Sequence, residues 1–410
     1  MDQNKTEKNI ELPVNKRSPR SVAMGAAFVM AMAAVGPGFL TQTATFTSQL
    51  GPSFGFAILV TIIIDIVVQL NIWRIITVSG KHAQQIANDI FPGLGYFLTF
   101  LIVVGGFFFN IGNVAGAGLG LNVLFGISAE NGAIIAAVLA IIVFVVRNAL
   151  LVMDRTVQVL AVVKIAILIY ILSVATVPVG LAVKHTFLPT NINFYAIVTI
   201  VGGTVGGYIS FAGGHRLLEG GVHGQKGLKY VNEGALSGVG IASVIRVMLF
   251  LAGLAVVIAG HKLDPLNPAA DIFKIAAGNF GYKFFGLLLF AAGMTSILGS
   301  TFTSVSFMNY SQSPEDVVKF QKYRPYLVIG FIAISTLVFY IVGKPVQILI
   351  FVGAINGLIL PIALGILLIG AYKNKIMGKD YKHPIFLSIF GWIVVLFMAF
   401  AGIETLINTL

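Results

Sequence analysis

Only 10% of the 410 residues are charged, so the groups able to do chemistry are few and stand out. Lys164 sits inside an apolar run, Val-Leu-Ala-Val-Val-Lys-Ile-Ala-Ile-Leu. A lysine in hydrocarbon is costly and marks a functional position by default, one able to take up and release a proton in each working cycle. Snorkelling or structural pairing is the alternative. Asp65 is the clearest acid within an apolar stretch, and Arg246 is its candidate partner. The two read as a structural or gating pair rather than as ligands for a solute. Gly36-Pro37-Gly38 interrupts a further apolar run and is followed by Thr41, Gln42, Thr43, Thr45 and Thr47. Proline removes a helix donor and glycine favours unwinding, so this segment is expected to be two half-helices. The half-helix starting near Phe39 then presents unsatisfied amides and the positive end of its dipole. Thr41, Gln42 and Thr43 add hydrogen-bond donors, and no acid lies beside them, which suits a carboxylate. The alternative is a polar run that only packs or hydrates its helix. Six histidines show no i, i+4 spacing for zinc, and the absence of cysteine removes thiolate sites and disulfides. No phosphate loop, nucleophile elbow or cofactor fingerprint is evident. An enzyme, a resident metal and a cofactor are therefore not expected.

The elements that must position these groups are membrane helices. Hydrophobic residues make up 57% of the chain and the mean hydropathy is +0.95, far from the balance of a soluble domain. About eleven apolar runs long enough to cross a bilayer lie near 22–47, 54–78, 94–125, 132–148, 155–180, 196–220, 236–260, 283–309, 325–342, 346–371 and 384–408. Lipid offers the backbone no partners, so each run is a helix. The first is too long for a cleaved signal peptide. The formal charge of +11 follows the membrane rather than a nucleic acid. With the N-terminus taken as cytoplasmic, 19 Lys and Arg fall on inner segments and 5 on outer ones, as the positive-inside rule requires. The expected product is a multi-pass cell-membrane protein, a monomer in contact with lipid, with its C-terminus outside. Residues 1–20 are expected to form a disordered cytoplasmic tail, 21–372 a ten-helix core, and 373–410 a cytoplasmic loop with an additional helix.

A second break falls in the sixth run, which contains Gly202-Gly203-Thr204-Val205-Gly206-Gly207. A single glycine in a membrane helix usually serves close packing. Paired breaks in runs 1 and 6, five helices apart, instead point to an inverted repeat of five plus five helices with a midplane site where the unwound ends meet.

Several stretches resemble the NRAMP family of proton-coupled divalent-metal transporters, which have the LeuT-type fold. Asn110-Ile-Gly-Asn113-Val-Ala-Gly-Ala-Gly-Leu-Gly-Leu-Asn122-Val-Leu-Phe-Gly126 is similar to its third-helix pattern D-x-x-E-x-x-G-x-A-x-A-L-N-L-L-F-G. Val78-Ser-Gly-Lys-His82 is similar to its V-T-G-K-D, Ala291-Ala-Gly-Met-Thr-Ser-Ile-Leu-Gly-Ser300 to its S-G-Q-S-S-T-x-T-G, and Leu360-Pro361 to its L-P-F-A. The resemblance runs in order from the first run to the tenth. It implies an all-α LeuT-type membrane protein with helices 1 and 6 broken, working by alternating access.

The family's ligand positions are not kept. Its D-P-G-N break reads Gly36-Pro37-Gly38-Phe39 here, and its M-P-H-N break corresponds to Gly206-Gly207-Tyr208-Ile209. Its helix-10 glutamine falls near Gly353, and its two helix-3 carboxylates are Asn110 and Asn113. A partly dehydrated Mn²⁺ or Fe²⁺ needs oxygen, nitrogen or thioether ligands, which Gly, Phe, Tyr and Ile do not provide. Backbone carbonyls could still hold Na⁺ or a largely hydrated Mg²⁺. The solute expected from these residues is a small organic acid, amino acid or derivative, contacted by Gly36, Gly38, Phe39, Thr41, Gln42, Asn113, Gly206, Gly207, Tyr208 and Gly353. Lys164 resembles the fifth-helix lysine that replaces a sodium ion in proton-coupled amino-acid transporters. It is the expected coupling residue, with H⁺ as the coupling ion and Asn110 nearby. Sodium is the alternative, held by span-1 carbonyls with Thr295, Ser296 and further hydroxyls of span 8. Two other functions stay open: transport of Mg²⁺ or Mn²⁺, and a non-transporting membrane sensor.

Overall fold

The computed structural model describes residues 18–145, 162, 165–173, 175–309 and 314–409. These are helices α1 (Pro19–Ala34), α2 (Pro37–Leu50), α3 (Phe54–Ser79), α4 (Ala83–Ile90), α5 (Leu94–Phe125), α6 (Ala129–Val145), α7 (Val179–Phe187) and α8 (Phe194–Thr204). They continue with α9 (Ile209–Glu219), α10 (Leu228–Ile258), α11 (Pro268–Phe307), α12 (Pro314–Val342), α13 (Pro345–Ala371), α14 (Asn374–Met377) and α15 (Ile385–Thr409). Among the described residues, eight helical stretches are long and apolar enough to cross a membrane, while Pro19–Ala34 and Ala129–Val145 are shorter apolar helices. Side chains such as Ile389, Ile393, Leu396 and Phe400 of α15 stay exposed on the outside, where lipid rather than water is the compatible surrounding. The first part of the fifth predicted run falls outside the described residues, which include a helical stretch at 165–173. Lys164 and the predicted N-terminal tail up to residue 17 also lie outside them.

Local signals set the helix ends. Ser18 accepts from the Ser21 amide with Pro19 in the first turn, and Asn193 accepts from the Ala196 amide to start α8. Gly80 ends α3 at φ +64°. α10 begins near 228 rather than 236, because its polar first turns continue the helix beyond the apolar part. α11 begins at Pro268 rather than near 283, because Asn267 caps a short segment that meets the main helix at Ala277 and Gly278, where the backbone leaves helical geometry.

Both predicted breaks are present. Val35 and Gly36 separate α1 from α2, and Val205 to Tyr208 separate α8 from α9, with Gly207 at φ +59°. α5, α11 and α13 pack around the two broken pairs, and glycine permits the closest approaches. A Cβ at Gly202 would overlap the Gly353 carbonyl and Gly357 of α13, and one at Gly116 would overlap Pro37. Gly202 and Gly353 thus serve close packing, whereas the unwinding lies just beyond, at 205–208.

Candidate functional site

The two breaks converge on one stretch of α13. Gly38 lies against the Leu349 carbonyl, while a Cβ at Gly207 would overlap the Asn356 amide oxygen, and one at Gly206 would meet the Asn356 carbonyl carbon at 2.9 Å. Between them stands Gln42. Its Nε2 donates to the Leu349 carbonyl at 2.7 Å, and its amide fills the space in which a Cβ at Gly203 or Gly353 would sit. The amide that the NRAMP pattern places on helix 10 is here delivered from the broken first helix, into the gap left by Gly353. Oε1 of Gln42 and Oδ1 of Asn356 are buried acceptors without partners. Asn356 spends its Nδ2 on the Gly105 and Val352 carbonyls at 3.2 and 2.9 Å. Thr41 and Thr43 are buried, and their hydroxyls are likewise unpartnered.

On the other side of the breaks, Tyr208 packs edge-on against Phe109 with ring centroids 5.2 Å apart and hydrogen-bonds Asn113. Asn113 donates to Ser300 Oγ at 3.3 Å, Ser300 donates to Asn110 Oδ1 at 3.1 Å, and Asn110 donates to Ser335 Oγ at 2.6 Å. A continuous neutral chain of donors and acceptors therefore runs where the family pattern has carboxylates. The hydroxyl of Ser296 faces Gly36, whose Cβ position it approaches to 3.1 Å, while Thr295 turns back onto the Ala291 and Ala292 carbonyls of its own helix. Phe39 faces elsewhere: the guanidinium of Arg246 lies over its ring at 5.8 Å.

The structure thus gathers Gly36, Gly38, Gln42, Gly206, Gly207, Tyr208, Asn113, Asn110, Ser296 and Gly353 around the two breaks, and sets Thr295 aside. Sequence reasoning missed Asn356, visible only as a polar residue in an apolar helix, the ordinary sign of a buried amide with a partner elsewhere. It named Ser300 only among the span-8 hydroxyls of the sodium alternative, whereas the structure bonds it to Asn110 and Asn113. Arg246 and Asp65 do meet, Nη2 to Oδ2 at 3.8 Å, with both side chains buried. Toward one end of the bundle, His215 accepts from the Ala83 amide at 3.3 Å and packs between His82 and Phe307, a structural use. Burial lowers the His82 pKa.

No group of three or more His, Cys, Asp or Glu able to hold a metal occurs among the described residues. The architecture nevertheless has a clear relationship. Residues 27–408 match the profile of natural resistance-associated macrophage protein-like (Nramp) proteins. This chain belongs to the Nramp family. The membrane protein YcsG of Bacillus subtilis, described as uncharacterized, is 55% identical over 390 residues, covering 95% of each chain. A manganese transporter of Eremococcus coleocola, solved with an aromatic bis-isothiourea compound, superposes at TM-score 0.71 with 16% identity, covering 94% of this chain and 86% of that one. MhsT, solved with L-phenylalanine, superposes at TM-score 0.63 with 16% identity, covering 92% and 98%. The fold is the LeuT type with helices 1 and 6 broken, and the chain is a multi-pass Nramp-family membrane transporter rather than an enzyme.

Proposed function

We propose that this Nramp-family member carries a small organic carboxylate or zwitterion, driven by protons, instead of a transition metal. The observation that carries this reading is the donor set at the breaks. Glycine backbone, the Gln42 and Asn356 amides, the Asn110–Ser300–Asn113 chain and the Tyr208 hydroxyl are all neutral. A dehydrated divalent ion at such a place keeps its charge uncompensated, at a cost of many kcal/mol in a low dielectric. A small acid or amino acid instead meets the second N–H of Gln42 Nε2 and the unpartnered Thr41 hydroxyl as donors for its carboxylate. The two unpartnered oxygens, Gln42 Oε1 and Asn356 Oδ1, accept its own N–H or O–H groups. Proton coupling rests on family membership and on Lys164 as its candidate carrier; the sodium alternative uses Ser296 beside Gly36.

A second reading is transport of a largely hydrated divalent cation such as Mg²⁺, or of Mn²⁺. The family match and the fold shared with a manganese transporter favour it. The charge asymmetry of the termini and loops supports an N-terminus inside and a C-terminus outside, and we take the transporting unit as a monomer. Thermal unfolding of the purified chain against carboxylates, amino acids, Mg²⁺ and Mn²⁺ separates the readings, since a ligand bound to the native state stabilises it by mass action. Saturable stabilisation by one organic solute, weakened in Gln42→Ala, is expected. Saturable stabilisation by a divalent cation alone would instead establish the second reading.

A further inference from the structure

Arg246 is a costly side chain to hold in this fold. It is fully buried where α2, α3 and α10 meet, and none of its Nε, Nη1 and Nη2 atoms has a hydrogen-bond partner. A guanidinium carries five N–H donors, and one left dry and unspent is strongly unfavourable. Its counter-ion does not use them: Nη2 to Asp65 Oδ2 is 3.8 Å, about an ångström beyond a charge-assisted hydrogen bond. Oδ2 of Asp65 is itself buried and unpartnered, while Oδ1 accepts from Gln69 at 3.3 Å. The pair holds the two charges in register but leaves the fork of the guanidinium empty.

The place of the pair gives it meaning. Phe39, whose ring lies under the guanidinium at 5.8 Å, is the third residue of α2, immediately after the Gly36 break. Thr43, one helical turn further on the same face, is buried with its hydroxyl unpartnered, and Thr47 beyond it packs on Gly253 of α10. The seam between α2 and α10 therefore runs from the break past an unspent guanidinium and an unspent hydroxyl. Among the described residues, Arg246 is the one charged group acting on Asp65.

We propose that Arg246 takes the carboxylate of the solute and that Asp65 is the proton-binding group that releases Arg246 to do so. The inference rests on the organic-solute reading above, puts Arg246 in place of the donors at the breaks as the carboxylate's partner and Asp65 in place of Lys164 as the proton carrier, and commits to a monocarboxylate without a compensating ammonium. Charge balance makes it a coupled device. With Asp65 ionised the buried pair is neutral overall, and adding an anion alone would leave a net negative charge in hydrocarbon. If a proton arrives on Asp65 Oδ2 with the anion, the neutral acid, the guanidinium and the carboxylate again sum to zero. The carboxylate fills the fork in the bidentate geometry that Arg favours over Lys. When the solute leaves on the other side, Asp65 gives up its proton there and re-forms the pair. One proton thus accompanies each monocarboxylate, and no step leaves an uncompensated charge. A zwitterion at the same place would need no proton.

The test measures binding of acetate, lactate and benzoate, with glycine and leucine as zwitterions, to the purified full chain in lipid nanodiscs over a pH series. The wild-type affinity for a bound monocarboxylate is expected to fall about tenfold per pH unit above the Asp65 midpoint, as linkage to one proton demands. Asp65→Asn is expected to bind it at neutral pH as tightly as the wild type does in acid, with the pH slope gone. Arg246→Gln is expected to weaken it at least tenfold. The double variant Asp65→Asn/Arg246→Gln removes both charges, so it tests binding in a folded chain even if Arg246→Gln alone, with an unpaired Asp65, does not fold. Binding to the double variant as tight as to the wild type, or a pH slope that persists in Asp65→Asn, would overturn this inference and leave the organic-solute reading standing. Failure of every monocarboxylate and zwitterion to bind the wild type would sink both.

Discussion

Gly203→Ala gives a sharp test of how the first break is held, because the methyl would land where the Gln42 amide lies. To admit it, Gln42 must withdraw from between α8 and α13 and give up its 2.7 Å bond to the Leu349 carbonyl. Overpacking of this kind costs about 1–3 kcal/mol, and the buried hydrogen bond adds about 1. The better helix propensity of alanine returns about 1, leaving a net loss of about 1–3 kcal/mol. Gln42→Ala alone costs little, about 0–2 kcal/mol, because it removes an unpartnered buried oxygen together with the bond. In Gly203→Ala/Gln42→Ala the new methyl occupies vacated space, so the double variant should match Gln42→Ala or exceed it. The expected coupling is about 2 kcal/mol, with the pair more stable than the sum of its single effects. Thermal unfolding in detergent reads this directly: at about 2 °C per kcal/mol, Gly203→Ala falls by about 2–6 °C and the second substitution restores it. Additive losses in the double variant would mean that Gln42 does not wedge between α8 and α13.

Three further outcomes are expected. Gly207→Ala combines a φ of +59° with overlap onto the Asn356 amide oxygen, and should cost more than about 2 kcal/mol and abolish transport; Gly299→Ala, in a helix with open space around it, should instead stabilise by about 0.5–1 kcal/mol. Ser300→Ala leaves Asn110 Oδ1 without its donor and Asn113 Nδ2 without its acceptor, so unfolding measurements should show a loss of about 2–4 kcal/mol. His383, bonded to Asn71 and Tyr381 in the loop before α15, has its pKa pushed from 6.5 down to about 4, chiefly by burial and then by Arg74. The fold favours the neutral ring, so the unfolded chain binds the extra proton first. Stability should therefore fall as pH drops from about 6.5 to about 4, and a pH series of thermal unfolding should show that slope flattened in His383→Gln.

The features legible in the sequence were those set by local backbone chemistry. Gly36-Pro37-Gly38 announces its own break, and the apolar runs announce their helices. The sixth helix was legible only in part: the glycine cluster marks the region, but Gly202 and Gly203 stay helical to let α13 and Gln42 approach. Partners distant along the chain left no trace. Gln42 looked like a free donor because its acceptor is a backbone carbonyl 307 residues away. Asn110 and Asn113 read as two lost carboxylates, yet with Ser300 and Ser335 they form one neutral chain. Asp65 and Arg246 were paired correctly as residues, but the empty fork of the guanidinium is a geometric fact that no spacing encodes.

We propose that the Nramp scaffold carries an organic solute in place of a metal in this chain. Uptake into proteoliposomes under an inward proton gradient tests it most directly, with carboxylates and amino acids offered beside Mn²⁺ and Mg²⁺. Saturable, gradient-dependent accumulation of an organic acid or amino acid, with no competing Mn²⁺ flux, is the predicted result. Saturable Mn²⁺ or Mg²⁺ flux with no organic uptake would contradict the account and show that backbone and amide oxygens at the breaks suffice for a metal.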